Sequence, residues 1–157
     1  MKAIHWITAA AAFAFVFSAP ADAGVNDPEV IIYRFPGVRD NSGTDFVGVA
    51  TVFHCTNFSG VEEILRFVTR QHTGTLVTNI SFALGHLQNQ VVSTHRTGAY
   101  GGFISLDTGL VSFGTTAIAA TSTNIICTAM TIDASTTVPV GVALRGIRFS
   151  PAPGSQE

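Results

Sequence analysis

From Val47 to Cys55 the chain alternates with a period of two. Val47, Val49, Thr51, Phe53 and Cys55 fall on one side, and Gly48, Ala50, Val52 and His54 on the other. Successive side chains of a β-strand point to opposite faces, so this run predicts a strand that turns its Cys55 side into a core. The other cysteine, Cys127, lies in the run from Asn124 to Asp133. There Ile125, Cys127 and Ala129 share one face, and Ile126, Met130 and Ile132 share the other, so both sides are expected to be covered. Two inward cysteines on strands far apart in sequence predict one disulfide, pinning one sheet to a facing sheet. Loop-closure entropy makes such a bridge worth roughly 4 kcal/mol. A reactive or metal-binding thiol is the alternative, but no CxxC and no ligand set beyond His54 accompanies either cysteine.

The remaining apolar runs are short and separated by turn residues, the pattern of an all-β sandwich or barrel. Val30 to Phe35 is expected to end at Pro36-Gly37, with a polar loop from Arg39 to Asp45 behind it. Ile80 to Leu84 alternates after the turn His72-Thr73-Gly74-Thr75. Gln90–Thr94, Gly102–Leu106 and Leu110–Phe113 have the length of short strands, and Ala117 to Ala120 is apolar. Val138 to Phe149 forms the last run, with Val140, Val142 and Leu144 on one side and Arg145 on the other. Segment 60–71 admits two structures. Ser59-Gly60-Val61-Glu62 has the form of a helix capping box, with Val61, Ile64, Leu65 and Val68 at helical spacing. As a strand, Leu65, Phe67 and Thr69 face inward, and its strand neighbours favour that choice. The fold expected is an antiparallel β-sandwich of about seven strands.

The stretch Cys55-Thr56-Asn57-Phe58-Ser59, the alternating run behind it and Thr73-Gly74-Thr75 resemble small extracellular sandwich domains. Together with Thr116 to Asn124 and Gly154-Ser155-Gln156-Glu157, they resemble a group of uncharacterised small secreted bacterial proteins over most of the chain. That resemblance implies the fold and an exported habitat, and it implies no activity and no functional residue. The two-cysteine spacing is also similar to that of immunoglobulin-like sandwiches, although Trp6, the only tryptophan, lies outside the expected domain.

The N-terminal residues are of a different kind. Lys2 precedes an apolar stretch from Ile4 to Phe17, and Ala21-Asp22-Ala23 offers small residues where a signal peptidase reads. Residues 1–23 are therefore expected to be a cleaved signal peptide and 24–157 a single exported domain, secreted or periplasmic. The apolar core is too short for a permanent membrane span. Retention as an N-terminal anchor is the alternative. Lys2 is the only lysine, the arginines at 34, 39, 66, 70, 96, 145 and 148 are scattered, and the formal net charge is −2. No basic cluster is present to displace phosphate counterions, so nucleic acid is not an expected partner.

Motifs for chemistry are sparse. G-x-S-x-G, P-loop, G-x-G-x-x-G and H-E-x-x-H strings are absent. His54, His72, His86 and His95 stand singly, with no metal-ligand spacing. Glu62 and Glu63 would point to opposite faces of a strand. Asp40, Asp45, Asp107 and Asp133 sit in turn-like contexts without a calcium-loop string. Asn57-Phe58-Ser59 and Asn79-Ile80-Ser81 match the glycosylation sequon, which has no role behind a leader of bacterial type. The segment Ser93 to Gly102 offers a contact loop in which His95, Arg96 and Tyr100 flank flexible glycines. A long hairpin connection is its plainer explanation.

Three functions follow as expectations. The first is a non-enzymatic binding or structural domain whose partner is another envelope or extracellular protein or a second copy, without a cofactor or metal. The second is a small secreted enzyme with a site assembled from distant residues such as His95, Arg96 and an Asp. The third is an outer-membrane β-barrel, which the scarcity of Tyr and Trp opposes.

Overall fold

The computed structural model describes residues 29–101 and 103–149. The expected leader, the cleavage site before Gly24, and the last residues, 150–157, lie outside them. The alternating runs become ten strands: β1 (Val30–Asp40), β2 (Val49–Asn57), β3 (Glu63–Gln71), β4 (Leu76–Leu84), β5 (Asn89–Ser93), β6 (Ile104–Ser105), β7 (Val111–Ala120), β8 (Ile125–Asp133), β9 (Gly141–Leu144) and β10 (Ile147–Arg148). They form two five-stranded sheets, ordered β10-β1-β7-β3-β4 and β6-β5-β2-β8-β9. Every pairing is antiparallel except β5 with β6. The architecture is the expected all-β sandwich. The short strands β6, β9 and β10 account for the excess over seven. Both sheets end in separate edges, so the described residues do not form the closed barrel of the third expectation.

Rings from both sheets build the core. Phe35 of β1 and Phe67 of β3 each meet Phe53 of β2 edge-on, with centroids 5.5 Å apart in both pairs. All three are buried, and full burial of such a ring contributes about 2–3 kcal/mol. Leu65, Phe67 and Thr69 point inward as the strand alternative for 60–71 requires, which removes the helix.

The disulfide joins Cys55 to Cys127 across a sequence separation of 72, but its placement differs from the expected one. Strands β2 and β8 are neighbours in one sheet, and the two cysteines are directly paired residues with Cα atoms 4.2 Å apart. The bridge therefore lies within a sheet and does not connect the two sheets. The physical reason is spacing. Paired residues on adjacent strands come within about 4.5 Å, whereas facing sheets stand about 10 Å apart. Two inward positions suit either geometry, and only the register distinguishes them. A bridge here is consistent with an oxidising, extracytoplasmic setting.

Two boundaries and one expectation of burial also differ. Strand β1 runs past Pro36-Gly37 to Asp40, because register shifts around Val38 and the positive φ of 83° at Gly37 absorb the missing N–H donor. The runs at 110–113 and 117–120 merge into β7, the middle strand of its sheet. On the outer face of β8, Ile132 is buried but Ile126 is 48 % exposed, so cover extends over only part of the strand.

The final run does not stay in one sheet. Strand β9 pairs with β8, and after Arg145-Gly146 the chain joins the other sheet, where β10 pairs with β1. A Cβ at Gly146 would lie 2.3 Å from the Phe35 ring, so only glycine lets the backbone cross this close to the core. The crossing closes one flank of the sandwich. Strand β4 lies at the other.

Candidate functional site

Beyond β5 the chain keeps close to β2. The Thr94 N–H donates to the Thr51 carbonyl at 2.9 Å, and the Thr51 N–H donates to the Thr94 hydroxyl at 3.1 Å. This anchoring turns the next side chain inward. His95 is 2 % exposed, and its Nδ1 lies 2.7 Å from Oδ2 of Asp40, at the end of β1 and itself fully buried. The other oxygen of Asp40 accepts the N–H groups of Ser42 and Gly43 at 3.2 and 2.8 Å, and Thr108 donates its hydroxyl to Oδ2 at 3.1 Å. A carboxylate surrounded by donors acts as acceptor, so Nδ1 of His95 carries the proton. The Phe46 N–H donates to the Arg96 carbonyl, and the Arg96 N–H to Asp45, which locks the 40–46 loop onto this segment.

The three residues of the expected contact loop therefore diverge. His95 points into the protein. Arg96 stays at the surface, 3.7 Å from the Asp45 carboxylate. Tyr100 lies against the outer face of the β2–β8 sheet, its ring 4.7 Å from that of His54 and its hydroxyl donating to Met130 Sδ at 3.5 Å. They do not make one contact surface. The enzyme alternative asked for His95 beside a distant Asp, and Asp40 supplies one. The imidazole is enclosed, and among the described residues its Nε2 has no hydrogen-bond partner.

Half-buried under Tyr100, His54 has its pKa held below the usual 6.5, because burial penalises the charged imidazole. The unfolded chain then takes up this proton more readily than the folded one. Stability due to His54 is full above pH 6.5 and is lost as the pH falls through the lower folded value. Thermal melts from pH 8 to pH 5 should show this decline in the wild type. His54→Phe, which keeps an aromatic ring against Tyr100, should flatten it. An identical pH profile in the variant would exclude His54 as the source.

Two surface features had no signal in the linear sequence. The first is an arginine-lined trough on the outer face of the β1–β7–β3 layer. Register places Arg34 beside Ala117, Arg66 beside Ala119 and Arg70 beside Thr115. The short side chains of β7 form a floor between longer ones on β1 and β3, leaving a depression of about 180 Å³. The second is the edge of β4, whose only strand partner among the described residues is β3. Its nine residues include no charge, proline or glycine.

No protein-family model, curated protein or solved structure matches the chain. What the fold and these features define is a disulfide-bonded β-sandwich with one long open edge and a basic face beside it.

Proposed function

We propose that the protein is an exported, non-enzymatic binding or structural domain, secreted or periplasmic, that acts by strand addition at β4, pairing with a second copy of itself. The observation that carries this reading is the chemistry of the β4 edge. A strand at the border of a sheet leaves alternate N–H and C=O groups unpaired, and natural sheets blunt such borders with charge, proline or very short strands. Strand β4 has nine residues and none of those protections. Its outward residues Asn79, Ser81 and Ala83 are small and exposed, while Ile80 and Phe82 remain half-buried at the flank of the core. A two-fold axis sets an edge strand antiparallel to itself, and in β4 that brings no like charges opposite each other. Export rests on the leader pattern of residues 1–23 and on the disulfide.

Sedimentation of the exported protein at micromolar concentrations should show a dimer. The double variant Ser81→Lys/Ala83→Lys puts charge on the border without touching the core, and it should weaken association at least tenfold with an unchanged β-sheet spectrum. A wild type that remains monomeric, or robust zinc- or calcium-dependent hydrolysis by the pure protein, would overturn the reading.

A further inference from the structure

The trough on the outer face of the β1–β7–β3 layer carries three arginines, and among the described residues only one of them is ion-paired. Arg34 on β1 stands two strands from Arg66 and Arg70 on β3 and two residues out of level with each, about 12 Å at their roots, across the small residues Thr115, Ala117 and Ala119. The Arg34 guanidinium lies on the β10 side of β1 and that of Arg70 on the β3–β4 turn, and both long stems can swing over the gap. Arg66 is ion-paired through Nε with the carboxylate of Glu29. Among the described residues, Arg34 and Arg70 have no carboxylate within ion-pair distance. Arg34 lies 5.7 Å from the Phe149 ring centroid, and Arg70 donates one hydrogen bond to the Gly74 carbonyl. Both line the depression together with Ile31 and Val68.

We infer that this trough is a binding site for a small organic polyanion, a compact carbon frame bearing two or more carboxylate or phosphate groups. Arg34 and Arg70 take the acidic groups from opposite walls. Planar, five-donor guanidinium groups match both carboxylate and phosphate geometry. Ile31, Val68 and Ala117 provide an apolar bed for the frame. Glu29 supports the assignment from within the chain, since its carboxylate already sits on the third arginine as an acidic group of a ligand would. The site is on the face of the sheet and does not depend on pairing at β4.

Calorimetric titration of the full exported protein tests this with citrate, fructose 1,6-bisphosphate, inorganic phosphate and glucose. Citrate or the bisphosphate should bind saturably, with affinity falling as salt is added, and glucose should not bind. Whichever polyanion binds more tightly assigns the acidic group as carboxylate or phosphate. Arg34→Ala and Arg70→Ala should each weaken binding tenfold or more while leaving the melting temperature of the free protein unchanged. Glu29→Gln, which releases Arg66, should strengthen binding several-fold. Absence of saturable binding by both polyanions at millimolar concentration overturns the proposal. So does binding that both arginine variants leave intact, or inorganic phosphate binding as tightly as the polyanions.

Discussion

Replacing Asp40 by alanine should lower the unfolding free energy by about 3–5 kcal/mol. The carboxylate is fully buried and accepts from the Ser42 and Gly43 N–H groups, the Thr108 hydroxyl and Nδ1 of His95. Alanine strands the buried His95 and Thr108 donors at once, while water can reach the Ser42 and Gly43 N–H groups, and among the described residues His95 already has no hydrogen-bond partner for Nε2. Because the cluster ties the end of β1 to the segment behind β5, the damage reaches both sheets. Asp40→Asn keeps the shape and one acceptor oxygen, so it should fall between wild type and alanine. Urea unfolding followed by circular dichroism measures both. A loss below about 1 kcal/mol in the alanine variant would show that these donors find other partners easily.

Breaking the disulfide is next in size. Cys55→Ala/Cys127→Ala should cost about 2–4 kcal/mol and lower the melting temperature by on the order of 10 °C. The bridge links strands that a nine-residue ladder already holds together, so the folded protein without it keeps its sheets. Its effect lies in the unfolded chain, which gains the freedom of the opened loop. The double variant should therefore show an unchanged β-sheet spectrum at 20 °C together with the lower melting point. Non-reducing peptide mapping of native material should recover Cys55 linked to Cys127. Two free thiols in that material would remove the bridge as a source of stability.

Much of the framework can be read locally. The alternation in β2 and the inward set Leu65, Phe67 and Thr69 in β3 depend on period two alone, which a linear sequence displays directly. The partner of the Cys55 strand is a different kind of fact. Whether two inward cysteines lie side by side or face to face depends on register and sheet order, which arise only when distant strands meet. The same holds for Arg34, Arg66 and Arg70, scattered along the chain and gathered only because β7 inserts between β1 and β3. His95 was misleading for a related reason. Its neighbours Ser93, Thr94, Arg96 and Thr97 are polar and read as a surface loop, whereas its burial is set by Asp40, 55 positions earlier. At Pro36-Gly37 local punctuation was overruled, because a bulge lets the strand continue where an unbroken ladder could not.

The pairing of β10 with β1 has a consequence for folding. Tyr33 and Arg34 pair with Arg148 and Ile147, so the first described strand gains this neighbour only from the last described one. Contacts of such long range form slowly. Closure of that border is therefore expected among the late steps of folding.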